Sequence, residues 1–160
     1  MTLLRYDREL GTFTWAQSRG RVKAGDRAGW VNDSGYRVIE VRGRNYRACR
    51  LAFLYVTGEL PEGEVDHKDN DRLNDRWSNL RPATSTQNKC NTRLRSDNTT
   101  GVKGVSYYKR SGRYKARVSL AGVEHWLGTY ETLAEAEAAV ILKRAELHGE
   151  FSNRGVNAGA

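Results

Sequence analysis

Glu64-Val65-Asp66-His67, then Asn79-Leu80-Arg81-Pro82, then Thr84-Ser85-Thr86-Gln87-Asn88 make up the stretch whose reading decides this chain. Adjacent residues on a strand point to opposite faces, so Asp66 and His67 can serve one site only if the strand ends or twists there. Lys68 to Arg76 is turn chemistry apart from Leu73, which predicts a loop directly after His67. Thr84 and Gln87 form a capping box, in which each side chain satisfies an N–H of the first helical turn. A helix starting there carries Asn88 on its first turn or the next.

Upstream of this stretch, Leu3 to Arg47 reads as short β-prone runs broken by Gly11, Gly35 and Gly43. The run Tyr36-Arg37-Val38-Ile39-Glu40-Val41 suits a strand, and Arg42-Gly43-Arg44-Asn45 can turn it into a hairpin. Ala48 to Thr57 groups Leu51, Ala52, Tyr55 and Val56 at helical spacing, and Gly58 with Pro61 ends the helix. The whole predicts one α+β unit.

Downstream, residues 93–100 are polar and without periodicity, as in a linker. Three strand-like runs follow, roughly 104–108, 113–120 and 123–127, separated by Ser111-Gly112 and Ala121-Gly122, which predicts an antiparallel meander. Thr132-Leu133-Ala134-Glu135 is a second capping box, opening a helix from Leu133 to about His148 with Leu133, Ala136, Ala139, Val140 and Leu147 along one stripe. Residues 154–160 are expected to be a frayed tail.

The 160 residues carry 27 Lys and Arg against 19 Asp and Glu, a formal charge of +8. The excess is local: Lys103, Lys109, Arg110, Arg113, Lys115 and Arg117 fall within residues 101–119 with no acidic residue between them. Segregation of this kind points to a polyanionic partner. No apolar run approaches the ~18 residues needed to span a bilayer, and Met1 to Leu10 is too charged for a signal peptide, so a cytoplasmic protein without membrane contact is expected. Cys49 and Cys90 stand far apart, which speaks against a disulfide framework or a cysteine-rich zinc site.

Asp66-His67, Asn79 after eleven residues and Asn88 after eight more resemble the ββα-metal core of HNH endonucleases in the variant ending in Asn. The flanks extend the resemblance: Arg50-Leu51-Ala52 to Gly58-Glu59-Leu60-Pro61, and upstream Leu4-Arg5-Tyr6, Gly11, Trp15, Gly35-Tyr36 and Tyr46. By that resemblance His67 is a general base, Asn79 a loop brace that orients it, and Asp66 and Asn88 the metal ligands. Phosphodiester hydrolysis needs a base for water and a cation for the phosphate, and a neutral imidazole suits the first task. Two hard oxygen donors suit Mg²⁺ or Mn²⁺. The chain departs from the family pattern at Cys49, where many members have His, at Lys68, and at Asn74-Asp75-Arg76, where Asp-Asn-Arg is usual.

Residues 101–153 resemble the plant ethylene-response-factor (APETALA-type) DNA-binding domain. The resemblance lies in Gly104-Val105, Gly112-Arg113-Tyr114-Lys115-Ala116-Arg117-Val118, Trp126-Leu127-Gly128-Thr129-Tyr130 and Glu135-Ala136. Carried over by position, it implies DNA contacts from Lys103, Lys115, Arg117 and Trp126, with Tyr108, Arg110 and Arg113 behind them. Alternation along the second strand independently puts Lys115, Arg117 and Ser119 on one face and Ala116, Val118 and Leu120 on the other.

The expectation is an α+β protein: a nuclease domain over 1–92 with N-terminal hairpins and a ββα-metal core, a linker over 93–100, and a three-stranded sheet packed on one helix over 101–153. It would be a Mg²⁺- or Mn²⁺-dependent, site-directed endonuclease of double-stranded DNA, of phage or mobile-element type, acting as a monomer or weak dimer. The alternative is a catalytically inactive DNA-binding regulator derived from such an enzyme. An RNA-binding module has little support without clustered exposed aromatics.

Overall fold

A computed structural model describes residues 3–153, beginning with a hairpin of strands β1 (Leu4–Asp7) and β2 (Thr12–Trp15). Their strict alternation buries Leu4, Tyr6, Phe13 and Trp15 on one face. Tyr6 and Phe13, opposite each other across the ladder, stack at 4.7 Å. The next sheet has the order β3 (Trp30–Val31), β4 (Arg37–Val41), β5 (Arg44–Arg47). Arg42 and Gly43 both have positive φ, the two-residue turn whose twist matches the flanking strands.

Helix α1 (Ala48–Thr57) follows without a break and turns Ala48, Leu51, Ala52 and Phe53 into the core, where Ile39, Val65 and Leu80 meet them. Gly58, in the left-handed conformation, ends it by donating to the Leu54 carbonyl. Strands β6 (Glu64–His67) and β7 (Leu80–Ala83) then pair antiparallel, joined by a loop that closes on a single turn of 3₁₀ helix at Trp77–Asn79.

The chain divides into two compact units, Met1–Ala83 and Thr84–Ala160. The second opens with helix α2 (Ser85–Cys90), whose capping box between Thr84 and Gln87 is fully formed. This short helix, grouped with the nuclease domain by the sequence reading, thus falls in the second unit. The meander consists of β8 (Val105–Tyr108), β9 (Arg113–Leu120) and β10 (Val123–Tyr130), in the order β10-β9-β8. Ala121 and Gly122 form its second turn with positive φ, and a bulge at Leu127 shifts the register of β10.

Helix α3 (Leu133–His148), started by the Thr132–Glu135 capping box, packs Ala136 and Val140 on Val105, Ala116 and Val118. Arg144 falls on the same stripe and is also buried, which the alanine-rich pattern did not foretell. The expected tail, 154–160, lies outside the described residues. No helix among the described residues is long and apolar enough to cross a membrane.

Candidate active site

Strand β6 ends at His67, and at this end of the hairpin Asp66 and His67 are 3% and 5% exposed. The imidazole Nε2 lies 3.0 Å from Oδ1 of the buried Asp75. A carboxylate only accepts, so Nε2 is the donor in this bond. Asp75 sits in the loop after β6 and is 2% exposed.

That loop is clamped from the β1–β2 hairpin. The Tyr6 hydroxyl donates to the Asp75 carbonyl at 2.5 Å, the Trp77 N–H donates to the Arg8 carbonyl at 3.0 Å, and Arg76 Nε donates to the Glu9 carbonyl at 2.8 Å. Gly11, at φ 67°, brings its bare Cα so close that a Cβ would collide with the backbone of Asp75 and Arg76. Burial, with the Asp75 charge behind it, pushes the Tyr6 phenol well above its usual range.

Cys49, at the start of α1, completes the surroundings of the ring. Its sulfur and ligand atoms of His67 and Asp75 all lie within 4.8 Å of one another, a spacing that could hold an ion. Burial first, and Asp75 second, push the thiol up to about 12. With the thiol protonated, His67 and Asp75 keep their hydrogen bond to each other, while an ion at this spacing would take the thiol as thiolate.

Asp66 is paired across the ladder with Arg81, whose Nε and a terminal nitrogen donate to Oδ2 at 2.8 and 2.7 Å. Asn88 sits on α2, in the second unit. As hard oxygen donors, a carboxylate and an amide fit Mg²⁺ or Mn²⁺ in kind.

Asn79 is hydrogen-bonded to the loop after β6. Its amide donates to Asp69 Oδ1 at 2.9 Å and to the Asn74 carbonyl at 2.8 Å, while its own oxygen accepts from the Asp69 N–H at 3.1 Å. These bonds hold the loop next to Asp75, so Asn79 reaches the ring's partner rather than contacting the ring through them. Beside His67, at 6.1 Å between centroids, lies Tyr36, with the Arg47 and Arg72 guanidiniums 4.1 and 4.9 Å from its centre.

On the sheet of the second unit, Trp126 is 56% exposed, and Tyr108 is exposed with Lys115 3.8 Å above its ring. Arg110 is exposed in the turn before β9. Arg113 and Arg117 are each ion-paired at 2.9 Å, with Glu131 and Glu124. The acidic partners come from β10 and the turn after it, outside the all-basic segment that the sequence singled out. Lys103 is placed differently from its expected role: its ammonium donates to the Cys90 and Thr92 carbonyls at 3.0 and 2.7 Å and fastens the end of α2.

The sequence reading missed Asp75, Arg81, Tyr6 and the Tyr36 arginine pair as parts of the site. Asp75 had a signal as a departure from the Asp-Asn-Arg pattern, and Tyr6, Tyr36 and Arg81 stood within the stretches of resemblance without a role assigned to them. The others depend on cross-strand register and on which loop folds over which hairpin.

Residues 46–90 match the family model described as HNH endonuclease. Protein 3.8 of Escherichia phage T7 is 35% identical over 98 residues, 61% of this chain and 80% of that protein. The Uncharacterized HNH endonuclease L560 of Acanthamoeba polyphaga mimivirus is 34% identical over 124 residues, covering 77% of this chain and 64% of its own length, a little under two thirds. A solved structure concerned with DNA binding and cleavage by the HNH homing endonuclease I-HmuI aligns loosely, with a TM-score of 0.40 and 17% identity over 95% of this chain and 88% of that one. Residues 46–90 match the HNH endonuclease model, and the chain belongs to the family of Protein 3.8 of phage T7.

Proposed function

We propose that the chain is a divalent-metal-dependent endonuclease of double-stranded DNA in which His67 is the general base. The observation that carries this reading is the His67–Asp75 hydrogen bond at the end of β6, inside the segment matched to HNH endonucleases. With Nε2–H held by a carboxylate, Nδ1 takes a proton from the attacking water, and Asp75 then stabilises the imidazolium by charge. Asp75 is a positioning residue, since it acts through the ring. Asn79 keeps the loop that carries Asp75 in place.

Asp66 and Asn88 would hold Mg²⁺ or Mn²⁺, which when bound neutralises charge on the phosphate and the departing oxygen. By the family's chemistry the products carry 5′-phosphate and 3′-hydroxyl ends. The outer face of β8–β10, with Lys115, Arg117, Trp126, Tyr108, Arg110 and Arg113, contacts the duplex in the manner of the ethylene-response-factor domain it resembles, so cleavage is directed to sites this sheet selects. The viral relatives favour a phage or mobile-element setting.

The test is a plasmid nicking assay in Mg²⁺ and in Mn²⁺ with the intact protein and His67→Ala. Removal of a general base costs about 100- to 10,000-fold in rate, while duplex affinity should stay within about twofold, well under 1 kcal/mol. A His67→Ala protein that cleaves as fast as the intact one ends the assignment. An intact protein that binds duplex yet cuts in neither metal leaves the regulator reading in its place.

A further inference from the structure

The second unit holds a cavity of about 730 Å³ whose wall includes Lys89, Arg95, Lys103, Arg117, Arg144 and His148. Among the described residues no carboxylate lines it. Arg95 and Arg117 have carboxylate partners of their own, Asp97 and Glu124. Lys103 and Arg144 do not draw on any acidic group in the bonds that place them, which run to main-chain carbonyls.

Arg144 is the unusual member. It occupies the slot one turn after Val140 on the buried stripe of α3, where an apolar residue would close the core. It is 5% exposed, and its Nε has no hydrogen-bond partner among the described residues. A Cβ at Gly104 would collide with the Arg117 carbonyl and would also stand 3.1 Å from a terminal nitrogen of Arg144. His148, one turn further on, donates from Nε2 to the Ser119 carbonyl at 3.1 Å, and its Nδ1 is likewise buried without a partner.

A buried, unpaired guanidinium costs several kcal/mol, on the order of what a partner anion returns. Two side chains that line one cavity and each keep a buried nitrogen without a partner, with Lys103 beside them, describe a site that is complete only with a ligand. We propose that this cavity binds a phosphate group, taken up by the Arg144 guanidinium, the remaining N–H of the Lys103 ammonium and, once protonated, the His148 imidazole. Neither the proposed base and its partners, His67, Asp75 and Asn79, nor the proposed metal ligands, Asp66 and Asn88, line it, so the inference stands apart from the catalytic reading. Burial lowers Lys103 to about 8 and Arg144 to about 10, with Arg144 also acting on Lys103; a bound dianion relieves both. The phosphate could belong to a DNA backbone or to a free phosphorylated small molecule.

The Arg144 Nε–H resonance of the full-length protein reports the site directly. Inorganic phosphate is titrated in one arm and a short blunt DNA duplex in the other, with Arg144→Lys identifying the signal. A shift with inorganic phosphate assigns the pocket to free phosphates, and a shift with duplex alone assigns it to the backbone. In either case Arg144→Met and Lys103→Met should each weaken the binding at least about tenfold, the loss of one charged hydrogen bond. A resonance that moves in neither titration overturns the proposal, as does equal binding by the intact protein and by whichever of the two variants folds.

Discussion

The first unit gives His67 a carboxylate partner, although one oxygen of that carboxylate, Asp75 Oδ2, is buried without a hydrogen bond, whereas the second surrounds Arg144 with groups whose charged forms repel it. Around His67 a proton donor meets a carboxylate, a phenol meets a carbonyl, and a protonated thiol fills the remaining side. Around Arg144 lie Lys103, His148 and an open wall. Burial strengthens electrostatic interactions of either sign. A complementary set is therefore locked in one arrangement and suits a reacting group whose geometry must not wander, while a like-charged set stays in deficit until something of opposite charge arrives.

The largest effect should follow from breaking the complementary set. Asp75→Leu removes both the acceptor and the charge, and kcat should fall about 100-fold with KM little changed, near the upper end of what loss of a histidine's orienting partner costs. Asp75→Asn keeps an acceptor oxygen but not the charge, so it should fall between the two proteins. If Asp75 served the fold alone, the two variants would track stability instead of ranking by charge. Gly11→Ala attacks the same arrangement from the hairpin, because its methyl group cannot fit against Asp75 and Arg76; both stability and kcat should drop.

The like-charged set should answer in the opposite sense. Replacing an uncompensated buried charge by an apolar side chain of similar length is often neutral or stabilising by about 1 to 4 kcal/mol. Arg144→Met should therefore raise the urea midpoint in phosphate-free buffer, and the gain should shrink or reverse when phosphate is added. A variant that is destabilised to the same extent in both buffers would show that Arg144 is paired well enough without a ligand.

How far the sequence carried differs between the two sets. Helix α1, the capping boxes at Thr84 and Thr132, the Arg42-Gly43 turn and the meander were legible because each rests on contacts a few residues apart. Asp66 and His67 were legible as a motif. Asp75 was visible only as a departure, since its meaning lies in a loop folding back by eight residues onto the ring and in a hairpin some seventy residues upstream. The ion pairs of Arg113 and Arg117 were hidden for a related reason: charge was read along β9, and the compensation comes across the register from Glu124 and Glu131. Arg144 carried no signal in the sequence, because position on a helical stripe does not reveal whether a long side chain turns inward or out.

The smallest effect, and the most discriminating, is the alkaline dependence of stability. The folded chain holds the Cys49 proton up to about 12, against 9.0 when unfolded, so the unfolded state binds fewer protons between those values and stability is lost as pH rises above 9. Lys103 works in the other direction. It gives up its proton near 8 in the folded state and at 10.5 when unfolded, so its cost is fully present below 8 and is relieved as pH rises towards 10.5. Urea midpoints of the intact protein should therefore rise between pH 8 and 9 and flatten or fall beyond. Cys49→Ala should extend the rise, and Lys103→Met should abolish it. Phosphate should flatten the same segment in the intact protein by favouring the charged lysine, and a rise that survives both Lys103→Met and phosphate would place the alkaline gain somewhere other than the basic pocket.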